Sequence, residues 1–332
     1  MSEGAPEVAA APVVESAAGE ALDMGTASLE GRHVLDIATL RSLSRRSNVS
    51  GGLRAATHLG LSVCTGALVW FVRDDWRLLI PAMLAHGFTL VTMFAPMHEC
   101  VHKTVFANPR ANELYGWLAG LLSFYNFTYY RHYHTWHHRY TQDPKRDPEL
   151  MDPKPASFAG YLWEISAIGF WLSRPVTFLK LAFTGGRSYP FVPESALGKI
   201  KISAGLQLAI YVAALASVAY GFPHAWLLFF GPSLLAQPLL RAILICEHTG
   251  CTLGENGLTN TRTTLTNPLV RLFMWNMPYH TEHHLYPSIP FHQLPAAHRH
   301  IRDRLAHLAS SYVAANREVI ASCGRQSARE GS

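Results

Sequence analysis

The sequence predicts an all-α integral membrane protein, with four transmembrane helices in two hairpins and a helical cap on the cytoplasmic side. Three observations carry this expectation. Charged residues make up only 15% of the 332 and apolar residues 49%, against roughly 25% charged in an ordinary soluble domain. Four apolar runs approach the ~20 residues that a membrane span needs. Lys and Arg collect at one end of each run, and so do ten of the 18 histidines.

Taken in order, residues 1–31 carry six acids and no Lys or Arg. This Ala- and Gly-rich start cannot bury enough apolar surface to fold, so it reads as a disordered tail. It lacks the basic start and apolar core of a secretory signal. The rest of the chain holds 28 basic and 17 acidic residues, a net of +11. No basic stripe interleaved with aromatics stands apart from the apolar runs, which excludes nucleic acid as the partner. The five cysteines are scattered, with no C-x-x-C pair, as expected of reduced thiols on a cytoplasmic face.

The expected spans are about 55–72, 78–97, 202–220 and 225–246. Arg73-Asp74-Asp75-Trp76-Arg77 turns the chain between the first two, and Gly221-Phe222-Pro223-His224 between the last two. Arg41, Arg45, Arg46 and Arg54 precede the first span, and Lys103, Arg110, Arg131 and Arg139 follow the second. Lys199 and Lys201 precede the third, and Arg262 and Arg271 follow the fourth. The positive-inside rule then places both termini, the central segment and every histidine cluster in the cytoplasm.

Residues 114–130 and 158–172 are apolar but short, with Asn126 and Glu164 inside them. They read as interfacial or re-entrant helices under the cap. Leu294, Ile301, Leu305, Leu308 and Tyr312 recur at helical spacing and predict one amphipathic helix. The membrane unit is expected over residues 32–320, followed by a flexible tail at 321–332.

Residues three and four apart share a helix face. His98 and His102 meet this rule, as do His134, His137 and His138, and again His280, His283 and His284. His248 closes the last apolar run. Nine imidazoles exceed what one ion takes, so two ions are expected. An imidazole-rich site at a membrane surface with open positions suits iron and oxidative chemistry; zinc sites usually stop at three or four ligands. Glu99, Asp143, Asp147, Glu149, Glu247 and Glu282 stand where carboxylates could fix the rings, although Asp143-Pro144 and Asp147-Pro148 could equally shape a turn. Asn276, four residues before His280, could reach a metal directly or through water. His33, His58, His86, His224 and His307 read as interfacial residues, and His292, His298 and His300 as decoration of the cap. His132 is out of register with His134.

The order His-x3-His, His-x2-His-His, His-x2-His-His around two hairpins resembles the three histidine boxes of the membrane-bound fatty acid desaturase superfamily. So do His134-Thr-Trp-His-His-Arg-Tyr-Thr-Gln-Asp-Pro144 and Asn276-Met-Pro-Tyr-His-Thr-Glu-His-His-Leu-Tyr-Pro287. The resemblance covers roughly residues 78–295. It implies two iron ions held by the eight boxed histidines, with His248 in the place of an extra ligand, and dioxygen as co-substrate. It also implies a ferredoxin or a small b-type haem protein as electron donor, and a hydrophobic acyl-type substrate taken from membrane lipid or a thioester. The third box begins with His280 rather than Gln, unlike the branch with a fused haem domain.

Phe124, Tyr125, Phe127, Tyr129 and Tyr130 could line an acyl tunnel or form an interfacial belt. Hydroxylation or ketone formation on the same scaffold stays open, as does a small non-lipid substrate. A non-catalytic metal-binding or transport protein would need ionisable groups deep in the spans, where the second and fourth runs hold only His86, Gln237 and Arg241.

Overall fold

A computed structural model describes residues 34–152 and 154–330, with side chains as far as Cys323. The expected disordered tail at 1–31 lies outside the described residues. The regular structure of the described chain is almost all helix, its one sheet being a pair of two-residue strands.

Helix α1 (Ile37–Leu43) leads to α2 (Asn48–Phe71), which starts where Ser47 caps the Ser50 amide. Asp75 caps the start of α3 (Trp76–Val91), and α4 (Phe94–Val101) continues α3 after a short break at Thr92 and Met93. Together they give a 26-residue apolar helix, Trp76–Val101. At about 1.5 Å per residue it exceeds the ~30 Å hydrocarbon layer. His98 lies in the last turn of this helix, at its C-terminal end.

The stretch 114–130 is not one interfacial helix. Helix α5 (Pro109–Ser123) stops at Phe124, whose φ of +64° ends it in the left-handed region, and Asn126 caps a new helix, α6 (Phe127–Arg139). The Phe124 ring is fixed against Phe229 and Tyr211, at 4.7 and 5.1 Å between centroids. The reversal turns the second histidine box back towards the first. Residues 158–172 likewise divide, at Ala167, into α7 (Phe158–Ile165) and α8 (Ile168–Thr184).

Helix α9 (Glu194–Ala219) follows, then a π turn, Trp226–Phe230, and α10 (Gly231–Leu244). Glu194–Ala219 and Trp226–Leu244 are, with Trp76–Val101, the described helices long and apolar enough to cross a membrane. The expected first span, α2, is long enough at 24 residues. Thr57, His58, Ser62 and Thr65 leave it less apolar than the other three.

The expected hairpins are only half realised. α2 packs on α3, but α10 packs chiefly on α3 and α9 on α8. The reason is local: a Cβ on Gly87 of α3 would run into the Pro232 carbonyl and Ala236 of α10. Small residues let these two backbones close together.

The segment after α10 opens on β1 (Thr263–Thr264). It continues through α11 (Pro268–Phe273), α12 (His280–Leu285) and α13 (Leu294–Ile301) to β2 (Leu308–Ala309) and α14 (Tyr312–Glu330). The single amphipathic helix expected over 294–312 is therefore broken, because Leu308 and Ala309 pair in parallel with Thr263 and Thr264. α14 carries helix past residue 321, where a flexible tail was expected, and its Cys323 is buried in a cluster with Tyr161, Ile245 and Cys246.

Candidate metal centre

Four pieces of chain bring nine histidines to one buried place. His98 lies in α4 and His102 caps its C-terminus. His134, His137 and His138 lie in α6, and His280, His283 and His284 make up half of α12. His248 sits in the turns after α10. Two backbone features aim α12: Trp275 and Asn276 take φ of +50° and +58°, and β1 pins the preceding loop. All nine are buried.

They form two adjacent groups. Ring nitrogens of His98, His102, His134, His138 and His283 lie within 4.8 Å of one another, and so do those of His137, His248 and His284. His280 joins the second group, its Nε2 3.1 Å from Nε2 of His248. Facing pairs of Nε2 atoms lie 2.9 Å apart (His102–His134 and His134–His138) and 3.2 Å apart (His137–His248). With metal–nitrogen bonds of about 2.1 Å, adjacent ligands of one ion sit roughly 3.0–3.4 Å apart, so these spacings suit a shared cation. Both nitrogens of His98 and His283, and Nε2 of His284, are buried without a hydrogen-bond partner. Such groups are costly unless something fills them, and a metal ion would.

The outer nitrogens are used differently. Nδ1 of His137 meets Asp147 Oδ1 at 2.8 Å, and that of His248 faces the Asn260 carbonyl at 3.2 Å. Nδ1 of His284 meets Thr141 Oγ1 at 3.2 Å, and that of His134 the Tyr130 hydroxyl at 3.4 Å. Partners on Nδ1 set ring orientation and leave Nε2 for the metal. Burial and neighbouring imidazoles hold His134, His138, His280 and His284 well below their ordinary pKa, and burial takes His283 to about 3. These rings are neutral, the form that binds metal. His137 is the exception: burial lowers it, but Asp147 and Glu149 outweigh that and raise it.

The other expected carboxylates divide. Glu99 Oε1 stands 3.7 Å from His283 Nδ1 while Thr104 binds its other oxygen. Glu149 reaches to 3.8 Å of His137 Nε2 and Glu247 to 3.6 Å of His280 Nε2. Burial, with Glu149 nearby, pushes Glu247 well above the usual carboxylate range. Asp143 does not serve a histidine of the cluster. It accepts from Lys145 N and Arg146 Nε, at 2.9 and 2.7 Å, and so shapes the turn. Glu282 turns away from the cluster to His298 and Thr263, which joins α12 to α13 and β1. The Asn276 amide donates to the Phe291 carbonyl at 2.9 Å and braces the loop before α12.

His58 and His86 are buried joints rather than interfacial residues. His58 accepts from Trp275 Nε1 and reaches the Thr89 carbonyl; His86 links Thr65 to the Leu228 carbonyl. His132 stands outside both groups.

A cavity of about 510 Å³ reaches His98, His134, His137 and His280. Tyr125, Tyr129 and Tyr130 line it as expected, whereas Phe124 and Phe127 do not. Its wall is more polar than an acyl tunnel requires: Glu149, Lys154, Arg174, Arg241 and Glu247 all face it. Nothing local in the sequence marks Arg174, a single basic residue beside an apolar stretch, as part of this wall.

The chain is similar to known proteins over most of the described fold. It is 32% identical over 132 residues to the sn-1 oleoyl-lipid 12-desaturase of Picosynechococcus sp., a match covering 38% of either chain. It is 24% identical over 245 residues to a fatty acid desaturase of Bacillus subtilis, 66% of each. It is 28% identical over 278 residues to the dihydrorhizobitoxine desaturase of Bradyrhizobium elkanii, 77% of this chain and 76% of that one. The matches thus cover less than two thirds of the cyanobacterial enzyme and about two thirds of the Bacillus one. A family model, "fatty acid desaturase", matches residues 75–315, which span all three histidine boxes, His248 and the three apolar helices. This chain belongs to the fatty acid desaturase family.

Proposed function

We propose that the chain is a di-iron, dioxygen-dependent desaturase that introduces a double bond into an acyl chain of a lipid or thioester. The observation that supports this most is the division of nine buried imidazoles into groups of five and four, with facing Nε2 atoms 2.9–3.2 Å apart. His98, His102, His134, His138 and His283 would hold one iron. His137, His248, His280 and His284 would hold the other. When bound, the iron pair supplies dioxygen activation and removal of hydrogen from an unactivated C–H bond.

The chain supplies position and exclusion of water. Asp147, Thr141 and the Asn260 carbonyl keep three rings turned inward. Phe94, Tyr130 and Tyr133 wall the cavity beside His98 and His134, so a substrate carbon is held against the metal face in an apolar contact. Electrons come from a separate ferredoxin or small b-type haem protein. We place α2 as a fourth span, residues 32–320 as one membrane unit, and the termini and metal centre on the cytoplasmic side. Arg and Lys flanking the helices support that orientation.

A second reading has its own support: desaturation of a small non-lipid metabolite. The polar cavity wall favours it, as does the name of the Bradyrhizobium relative. One experiment separates the readings. The chain and its His137→Ala variant are expressed in a host supplying reduced ferredoxin, and metal, lipids and small metabolites are analysed by mass spectrometry. Two irons per chain and a lipid lighter by two hydrogens support the first reading; a small metabolite changed in that way supports the second. A product heavier by one oxygen means hydroxylation, and zinc with no new product sinks both.

A further inference from the structure

The cavity beside the metal centre holds two arginines that the protein itself leaves short of negative charge. Arg174 of α8 and Arg241 of α10 both lie against the Phe170 ring, with guanidinium carbons 4.5 and 4.4 Å from its centroid. Both side chains face the cavity, and the Nε of each is buried without a partner. Arg241 donates to the Tyr125 hydroxyl at 2.7 Å. Among the described residues, Glu164 is the one carboxylate within ion-pair distance of either. It lies 3.8 Å from Arg241 and is half exposed. Arg174 has ring contacts but no hydrogen bond or ion pair to the protein among the described residues.

The other carboxylates on the cavity wall form no ion pair with either arginine, and one of them, Asp152, is exposed to solvent. Glu149 reaches His137 and Lys154, and Glu247 reaches His280. Two guanidinium groups on one ring repel each other, and taking them out of water is costly unless an anion compensates. Their planar forks suit the paired oxygens of a carboxylate or phosphate. The place is also set relative to the metal. Tyr125 contacts Tyr130, and Tyr130 stacks on His134, at centroid distances of 5.7 and 5.2 Å. An anion between the arginines would therefore sit about two ring contacts from the first histidine group.

We propose that Arg174 and Arg241 form an anion subsite, and that the substrate carries a carboxylate or phosphate held there while a carbon a short distance along it faces the metal centre. This rests on the reading of the site as a desaturase centre. It adds the substrate class: an anionic molecule whose charged group enters the cavity, rather than a neutral acyl chain whose head group stays outside.

The test is binding rather than turnover. The metal-loaded protein in lipid nanodiscs is titrated calorimetrically with straight-chain carboxylates from butyrate to decanoate, with the amides of the same lengths, and with the matching alkyl phosphates. At one chain length or more, an anion is expected to bind at least about tenfold more tightly than the amide, the scale of a charge-assisted pair. That preference should vanish in the double variant Arg174→Gln/Arg241→Gln and persist in Arg174→Lys/Arg241→Lys. A preference for carboxylate points to a free acid, and one for phosphate to a phosphorylated or phospholipid substrate; both support the subsite. Equal binding of acid and amide, binding of neither, or a preference unchanged in the glutamine variant overturns it. Metal content, measured on every sample, is read separately. Its loss with anion preference intact counts against the desaturase centre and not against the subsite.

Discussion

Asp147 Oδ1 lies 2.8 Å from Nδ1 of His137, and Nε2 of the same ring lies 3.2 Å from Nε2 of His248. The carboxylate holds one edge of the imidazole while the other faces the second histidine group. Asp147 is itself fixed, its other oxygen accepting from the Gln142 amide at 2.7 Å. Asp147→Asn should weaken metal binding in the second group by roughly 10- to 100-fold, the usual cost of removing such a support. Metal titration of the purified variant checks this. Affinity unchanged from wild type would mean that Asp147 only shapes its turn.

The same pair gives the centre a pH dependence. His137 is raised above its ordinary value, so part of it carries a proton near neutral pH before metal arrives. Metal must displace that proton. Occupancy of the second group should therefore fall as pH drops through the raised pKa of His137. The neutral rings of the first group, lowered by burial, should hold metal further into acid. Asp147→Asn removes the raising charge, so it should reduce the protons released on loading. Calorimetry in buffers of different ionisation enthalpy counts them, and equal release from both proteins would refute the assignment.

Loss of one ring from each group should separate the two sites. Alanine at His134 or His283, and at His137 or His280, should abolish turnover while the protein still inserts in the membrane. Metal content should drop selectively in the group that lost the ring. Full turnover in two of these four variants would contradict the dimetal reading.

Gly87 is expected to tolerate no side chain. A Cβ there meets the Pro232 carbonyl and Ala236 of α10, so Gly87→Ala must part α3 from α10. Overpacking of this kind costs about 1–3 kcal/mol, read as a lower midpoint of thermal unfolding in detergent. Because α10 leads into His248, metal affinity should fall with it. Gly52 and Gly60, which meet nothing within 4 Å, are the controls.

The sequence by itself determined the helical class, three of the apolar helices and the histidines that gather. It could do so because apolar runs, flanking charge and i, i+3, i+4 spacing are local features written along one dimension. The family followed from the same residues. Their division into groups of five and four was decided by folding, since it depends on how α4, α6, α12 and the loop after α10 converge. His137 and His138 are chain neighbours, yet they face different groups. Tertiary structure also decided which carboxylate supports which ring. Asp143 and Asp147 both precede proline, but only Asp147 lies under an imidazole. The left-handed turn at Phe124, the packing of α10 on α3 through Gly87, and the meeting of Arg174 with Arg241 on Phe170 are likewise long-range. Each is a contact between segments whose separation along the chain leaves no periodic trace.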